Sequence, residues 1–381
     1  MLSGTAMTVI LILLAIAACA AVLYQMAGKK PRIEPLDPHS VAPVPTRGMT
    51  SAEEEEEACL LWENIIPAAL ERIYAERAVS TGERRMSAAH EEPSETAKVA
   101  MGGLISSFQK ISTLHSSLMH LNSPSISLEE AAVTVTRDPV LSSHVLKAAN
   151  SPVFGMTQGV RSIHTAVNIL GIDNLKSLLV FQAMPHTLYS TALQRGMFQE
   201  VWRHMNVTAI IASFMGRALQ HPDSGMLYTA GLMHDIGKLV LIPMIGKGRC
   251  QTYPPTLEEE YELLSATHLQ AAQIMAARDG SAPGPLWELI LWHHLPALAT
   301  AHPPLAAETS RSLTVLFLAN QLAKLITADG SLEEGRMDML DVFDSGYPAA
   351  ISREEATTLL LSRDLMRDIL VSARLVQATL N

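Results

Sequence analysis

The sequence predicts an all-α chain with one transmembrane helix near its N-terminus. Three observations predict it. Leu, Ala and Met abound while aromatic residues make up only 5% of the 381 residues, a balance that favours helices over sheets. From about residue 100 the apolar residues recur at helical spacing between capping signals, and no segment alternates as a strand does. The run at 6–26, AMTVILILLAIAACAAVLYQM, carries no charge and matches the roughly 20 apolar residues that span a bilayer.

Lys29, Lys30 and Arg32 follow that run directly, and no Lys or Arg precedes it. The positive-inside rule then leaves residues 1–5 as a short extracytoplasmic N-terminus and the rest of the chain in the cytoplasm. A cleaved signal peptide would need a basic start and a shorter apolar core. IAAC at 16–19 resembles a lipoprotein processing box, but the apolar run continues beyond Cys19. The expectation is therefore an uncleaved membrane anchor.

Residues 27–57 read as a linker, Pro-rich from Pro31 to Pro45 and acidic from Glu53 to Glu57, where the charge suits the start of a helix. Residues 58–100 read as a helical connector, with Leu60, Leu61, Ile65, Ala68, Leu70 and Ile73 near one face, a kink at Pro67, and a polar, flexible stretch at 79–98. Ser127 and Glu130 have the spacing of a capping box, and Asp138-Pro139 is an N-cap followed by Pro at the first helical position. Gly171 separates two short helices. That pair invites comparison with a helix-turn-helix, but its second helix offers only Lys176 as a basic residue. The net charge of -10 also speaks against a general nucleic-acid binder. Further helices are expected at 196–220, 225–237, 256–279, 284–293 and 308–327, with one or two more in 334–381. The three cysteines fit neither a disulfide framework nor a zinc ribbon.

Seven of the fourteen histidines fall between 204 and 302. Lodged in apolar helices are His204, the His234-Asp235 pair, His268, His293, His294 and Asn320. Asp is almost never fully buried unless paired, and Asn320 lies in line with Leu313, Leu316 and Phe317, so its amide faces the core. Together these residues indicate a polar centre inside an apolar bundle. Imidazole and carboxylate are natural ligands for borderline divalent metals, and helices converging on one point can supply an octahedral set. A lone His on a helix is usually structural, which is the reading for His221 and His302, both beside prolines.

The order His204, His234-Asp235 and a late polar residue at 320 resembles the HD superfamily of metal-dependent phosphohydrolases. Residues 101–305 are more similar to its HDOD branch, the HD-related output domain. The carriers are LEEAAVTVTRDPVLSSHVLKAANSPVFG at 128–155, SIHTAVNILGIDNLKSLLV at 162–180 and LYTAGLMHDIGKLVL at 227–241. This resemblance implies an HD-type helical bundle, completed by C-terminal helices in 306–381, and a bacterial signalling domain that acts through protein contacts. It implies metal ligands at His204, His234 and Asp235, and the wider set of the related cyclic-di-GMP phosphodiesterases adds Lys238, His268, His293 and His294. The position matching their closing Asp is Asn320. The implied cofactor is a divalent metal, Fe, Mn or Mg, held weakly because a neutral amide replaces a carboxylate. The glycine-rich element of those phosphodiesterases is absent after His294, where HHLPALA stands, and Gly346-Tyr347-Pro348 comes too late to replace it. Two functions follow: a membrane-tethered scaffold that contacts a signalling protein and no nucleic acid, or a phosphohydrolase acting on a nucleotide or cyclic dinucleotide. The lost carboxylate favours the scaffold.

Overall fold

The structure is a computed structural model that describes residues 52–75, 93–108, 111–123, 125–151, 159–245, 255–278, 284–297, 305–326, 332–344, 347 and 349–369. The apolar run at 6–26 lies outside these residues, and no described helix is long and apolar enough to cross a membrane. The described residues are helical throughout, with no strand among them beyond an isolated bridge between Ile326 and Leu332.

Helix α1, Ala52–Ile73, begins earlier than the connector expected from residue 58 and takes in the acidic run. It stays one helix through Pro67, because Pro67 and Glu63 both face solvent and water can satisfy the carbonyl that the proline leaves without a donor. Its buried face is Trp62, Ile65, Ile66, Ala69, Leu70 and Ile73, whereas Leu60, Leu61 and Ala68 are exposed. The buried face is thus turned by about one residue from the expected one. Far from acting as a connector, α1 closes one wall of the main core. The Trp62 indole donates to Leu360 O, Tyr74 Oη donates to Ile351 O at 2.7 Å, and Arg363 pairs with Glu56 at 3.1 Å. Helix α2, Glu95–Ile105, begins within the stretch expected to be flexible, capped by Ser94.

A smaller core follows. The end of α3 (Ile111–Leu121), α4 (Leu128–Thr136), α5 (Pro139–Ala149) and the first half of α6 (Ile163–Ala183) bury Leu121, Val135, Leu141, Val145, Val167 and Leu170 together. The Ser127–Glu130 capping box and the Asp138 cap both form. Gly171 has φ 74° and divides α6, a left-handed conformation open to glycine at little steric cost. Lys176 is not available to a nucleic acid. Its side chain is buried, donating to Asp173 Oδ1 at 3.2 Å and to Gly225 O at 3.4 Å, above the Tyr228 ring.

The larger core is organised around α7, Ala192–Ala218, which packs along α8 (Ser224–Met233) and α13 (Ala307–Lys324). Between them lie α9 (Ile236–Leu241), α10 (Leu257–Leu264), α11 (His268–Arg278) and α12 (Pro285–Trp292). Two helices expected to be continuous are split. The segment 225–237 breaks between α8 and α9 at His234-Asp235, and 256–279 breaks between α10 and α11, where Ser265 adopts φ 49°. Thr267 and Gln270 then form a fresh cap for α11. The tail contributes a 3-10 segment, Glu334–Met339, and α14, Arg353–Leu360, which rests on α1. Tyr347 packs against Phe343 and donates to Ser310 O at 3.1 Å, a structural role for the tyrosine of the late Gly-Tyr-Pro triplet, whose other two residues lie outside the described ones.

Candidate metal centre

Both helix breaks open onto one point. Asp235 stands at the N-cap of α9 but its side chain makes no cap hydrogen bond to a backbone N–H, so its carboxylate faces inward. His268 opens α11, and His293 ends α12. A glycine makes the approach possible. A Cβ at Gly237 would stand 1.9 Å from His268 O, so only glycine lets the start of α9 lie against the start of α11. His204 and Asn320 come from the middles of α7 and α13.

The structure brings together all eight residues singled out from the sequence. Asp235 lies at their middle. Its Oδ1 is 3.4 Å from His268 Nε2 and 3.7 Å from His293 Nε2. Its Oδ2 is 2.8 Å from Lys238 Nζ, 3.4 Å from His234 Nε2 and 3.8 Å from His204 Nε2. Asn320 Oδ1 accepts from His204 Nε2 at 2.9 Å, and His294 Nε2 lies 3.3 Å from His268 Nε2. His204, His234, Asp235, His268, His293 and Asn320 are buried, while His294 and Lys238 are partly exposed.

Hydrogen bonds on the far ring nitrogens fix the tautomers. The Nδ1 of His234 faces Gly231 O at 2.8 Å and that of His293 faces Ile290 O at 2.7 Å. A carbonyl only accepts, so each Nδ1 carries the proton and each Nε2 presents a lone pair to the centre. His268 Nδ1 likewise donates to Glu260 Oε2 at 2.7 Å. Three lone pairs are thus turned toward one carboxylate. His234 Nε2, His293 Nε2 and Asp235 Oδ1 have no hydrogen-bond partner among the described residues. Leaving buried polar atoms unsatisfied costs roughly 1–3 kcal/mol each. A cation among them would turn this repulsion into coordination, so the donor set fits a metal ion. The ligating atoms of Asp235, His268, His293 and His294 all lie within 4.8 Å of one another, as do those of His204, His234 and Asp235.

The titration behaviour agrees with neutral imidazoles around a charged pair. Burial, reinforced by neighbouring imidazoles, pushes His204, His293 and His294 well below their usual range. Burial alone would raise Asp235, but the Lys238 ammonium and the imidazoles outweigh it and hold the carboxyl well below its ordinary value. Burial would lower Lys238, yet Asp235 and Glu260 hold it above.

Glu260 is not singled out by the sequence reading. Fully buried on α10, it accepts from both the backbone N (2.8 Å) and the Nδ1 of His268. A signal for it exists: within the Glu258–Glu260 run, only Glu260 falls three residues after Leu257 and four before Leu264, on the apolar face. Of the histidines assigned structural roles, His221 accepts from Asp223 N and contacts Ser312 Oγ at 3.0 Å, whereas His302 lies outside the described residues.

Comparison with known proteins places this centre in a family context. An uncharacterized protein of Treponema pallidum (strain Nichols) is 25% identical over 211 residues, which cover 52% of this chain and 40% of that protein. The chain thus spans well under half the length of that relative. Among solved structures, an HDOD domain protein of unknown function from Geobacter sulfurreducens is 20% identical, covering 65% of this chain and 78% of that one, with a TM-score of 0.39. A Shewanella amazonensis SB2B protein with the provisional name of phosphohydrolase is 19% identical, over 74% of this chain and 98% of that one, with a TM-score of 0.45. The model of the HDOD domain family matches residues 109–296, from the threshold of α3 to just beyond the His293-His294 pair and short of Asn320. The stretch similar to the HDOD family thus holds every residue of the polar centre except Asn320.

Proposed function

We propose that this chain is a signalling HDOD protein that acts by contact with a partner protein and has given up phosphohydrolase chemistry. The observation that carries the reading is the pairing of Asn320 Oδ1 with His204 Nε2 at 2.9 Å. Whichever way the amide is turned, it ties up that imidazole nitrogen and brings no negative charge. Hydrolysis of a phosphate ester by two metals needs both ions close together, with carboxylates offsetting their charge. Here the shared carboxylate, Asp235, is already half-neutralised by Lys238.

The phosphohydrolase reading keeps one observation in its favour, the convergence of unpartnered imidazole nitrogens on Asp235. A metal bound there would supply an activated water, and Lys238 would stand beside it to steady a phosphoryl group. The two readings separate in one assay. Purified full-length protein supplied with Mn or Fe is expected to release no product from cyclic-di-GMP or from nucleotides. Turnover that disappears in a His234→Ala, Asp235→Ala variant would establish the enzyme instead.

The proposal includes a tether. The uncharged run at 6–26 followed by Lys29, Lys30 and Arg32 supports an inner-membrane anchor with the C-terminal domain in the cytoplasm. Anchoring would raise the local concentration of the domain around a membrane-bound signalling partner. Fractionation should recover the intact chain with membranes, and protease should reach residues beyond 60 only from the cytoplasmic side. Protection of that region in spheroplasts counts in its favour, and its digestion there ends the topology.

A further inference from the structure

We infer that residues 340–344 form a strap linking α1 to the polar centre, so that a change in where α1 sits is carried to the turn behind His294. This strap belongs to no helix, and its main-chain donors are directed to three different walls. Asp341 N donates to Gln321 Oε1 at 2.8 Å, Phe343 N to Ile73 O at 2.9 Å, and Asp344 N to Pro296 O at 2.8 Å. Gln321 is buried on α13 beside Asn320, and Ile73 is the last residue of α1. Pro296 lies in the short turn that follows His293-His294.

A helix end leaves its last carbonyls without partners inside the helix. The Ile73 carbonyl is one of these, and Phe343 supplies its donor from near the other end of the chain. The buried Phe343 ring lies 4.8 Å from the Tyr74 ring and 4.8 Å from that of Phe317, one turn before Asn320. Arg72 pairs with Asp338 at 3.1 Å, tying the same end of α1 to the 3-10 segment that leads into the strap. Lys324 pairs with Asp341 at 2.7 Å and holds the strap to α13. Phe343 and Asp344 are neighbours in the chain, so the bond to α1 and the bond to the His294 turn cannot shift independently. An irregular segment held by a few bonds opens locally before the whole fold does, which gives the link the second, released state that coupling requires. Both α1 and the strap lie outside residues 109–296, and the strap meets that stretch at its last residue, Pro296. This deepens the contact reading proposed above by giving its signal a route: a partner that shifts α1 is felt at the centre, and by linkage the reverse holds.

Amide hydrogen exchange on the full chain tests the link, read by mass spectrometry on peptides covering residues 293–297 and, as a control, α8. Trp62→Phe removes the indole donor to Leu360 O and so loosens α1 against α14. It should speed exchange over 293–297 by about 2–10-fold, the effect of losing one buried hydrogen bond, and leave α8 unchanged. Phe343→Ala should speed exchange over 293–297 by itself. Adding Trp62→Phe to it should then change that rate by less than about twofold, because the route is already cut. Phe343→Leu keeps the apolar bulk and should show the same non-additivity at smaller amplitude, which keeps the test decisive where Phe343→Ala does not fold. No change over 293–297 in Trp62→Phe, an equal rise in α8, or effects that multiply in the double variant would each overturn the link. The scaffold reading does not fall with it, since turnover decides that reading and exchange decides this one.

Discussion

Two sides of one polar centre are built by different means. His204 and Asn320 project from the interiors of long helices, α7 and α13, and satisfy one another. His268 and His293 stand at helix ends, where backbone and Glu260 partners hold their rings with lone pairs turned inward. A side chain on a helix interior can drift into a new pairing without disturbing the backbone. A ring at a helix terminus is fixed by the chain break itself. The difference teaches where a polar site can lapse and where it keeps its shape.

The most severe way to disturb the comparison is to remove what both sides share. Asp235→Ala should cost about 3–5 kcal/mol of stability in urea, because Lys238 is left as an uncompensated charge in a mostly buried setting. A loss under about 1 kcal/mol would show that Lys238 relaxes to water and that Asp235 is not the keystone of the centre.

A smaller change sharpens the contrast by restoring charge on the His204 side. Asn320→Asp should raise metal content by elemental analysis and add stability that depends on metal, since an ion that binds only the folded state stabilises it. Without metal, the same variant should be less stable by roughly 1–3 kcal/mol, because the new carboxylate lies near Asp235. Unchanged metal content and unchanged melting in metal would remove position 320 from the centre.

The gentlest probe is pH in metal-free protein. His204, His293 and His294 have folded-state values depressed below the ordinary 6.5. Below 6.5 the unfolded chain therefore binds protons that the folded chain refuses, so these groups contribute stability that is fully present above 6.5 and lost as the pH falls. Each should withdraw about 1.4 kcal/mol per pH unit across its window. Thermal melting between pH 7.5 and 5 should show the decline, and His294→Gln should make it shallower by one group's share. A melting temperature that stays level would mean the rings are already charged or solvated.

Much of this was legible in the sequence. Ser127 with Glu130, Asp138-Pro139 and Gly171 announced their caps and break, because each signal is local and needs no tertiary partner. The buried polar set was legible too, since His, Asp and Asn set among aliphatic residues on several helices must meet one another to be buried at tolerable cost. What stayed hidden depended on distant contacts. The apolar periodicity of 225–237 and 256–279 continues across both breaks, and the steric demand at Gly237 comes from His268, which lies on another element. The face of α1 could not be read locally because Leu60 and Leu61 are as apolar as Trp62, and distant elements, α13 and α14, decide which is covered. Glu260 was masked by two acidic neighbours that lie less deeply in the fold.

The bond from the Trp62 indole to Leu360 O joins residues 298 positions apart. At synthesis rates of 5–20 residues per second, α1 leaves the ribosome about 15–60 s before the partner that covers it exists. During that interval Trp62, Ile66 and Leu70 form an apolar stripe on a nascent chain, open to a chaperone or to an identical chain on the same polysome. Completion of the C-terminal segment is thus the event that withdraws the first helix from circulation. A chain released before residue 351 would lack the segment that covers that stripe, even with the residues similar to the HDOD family entire.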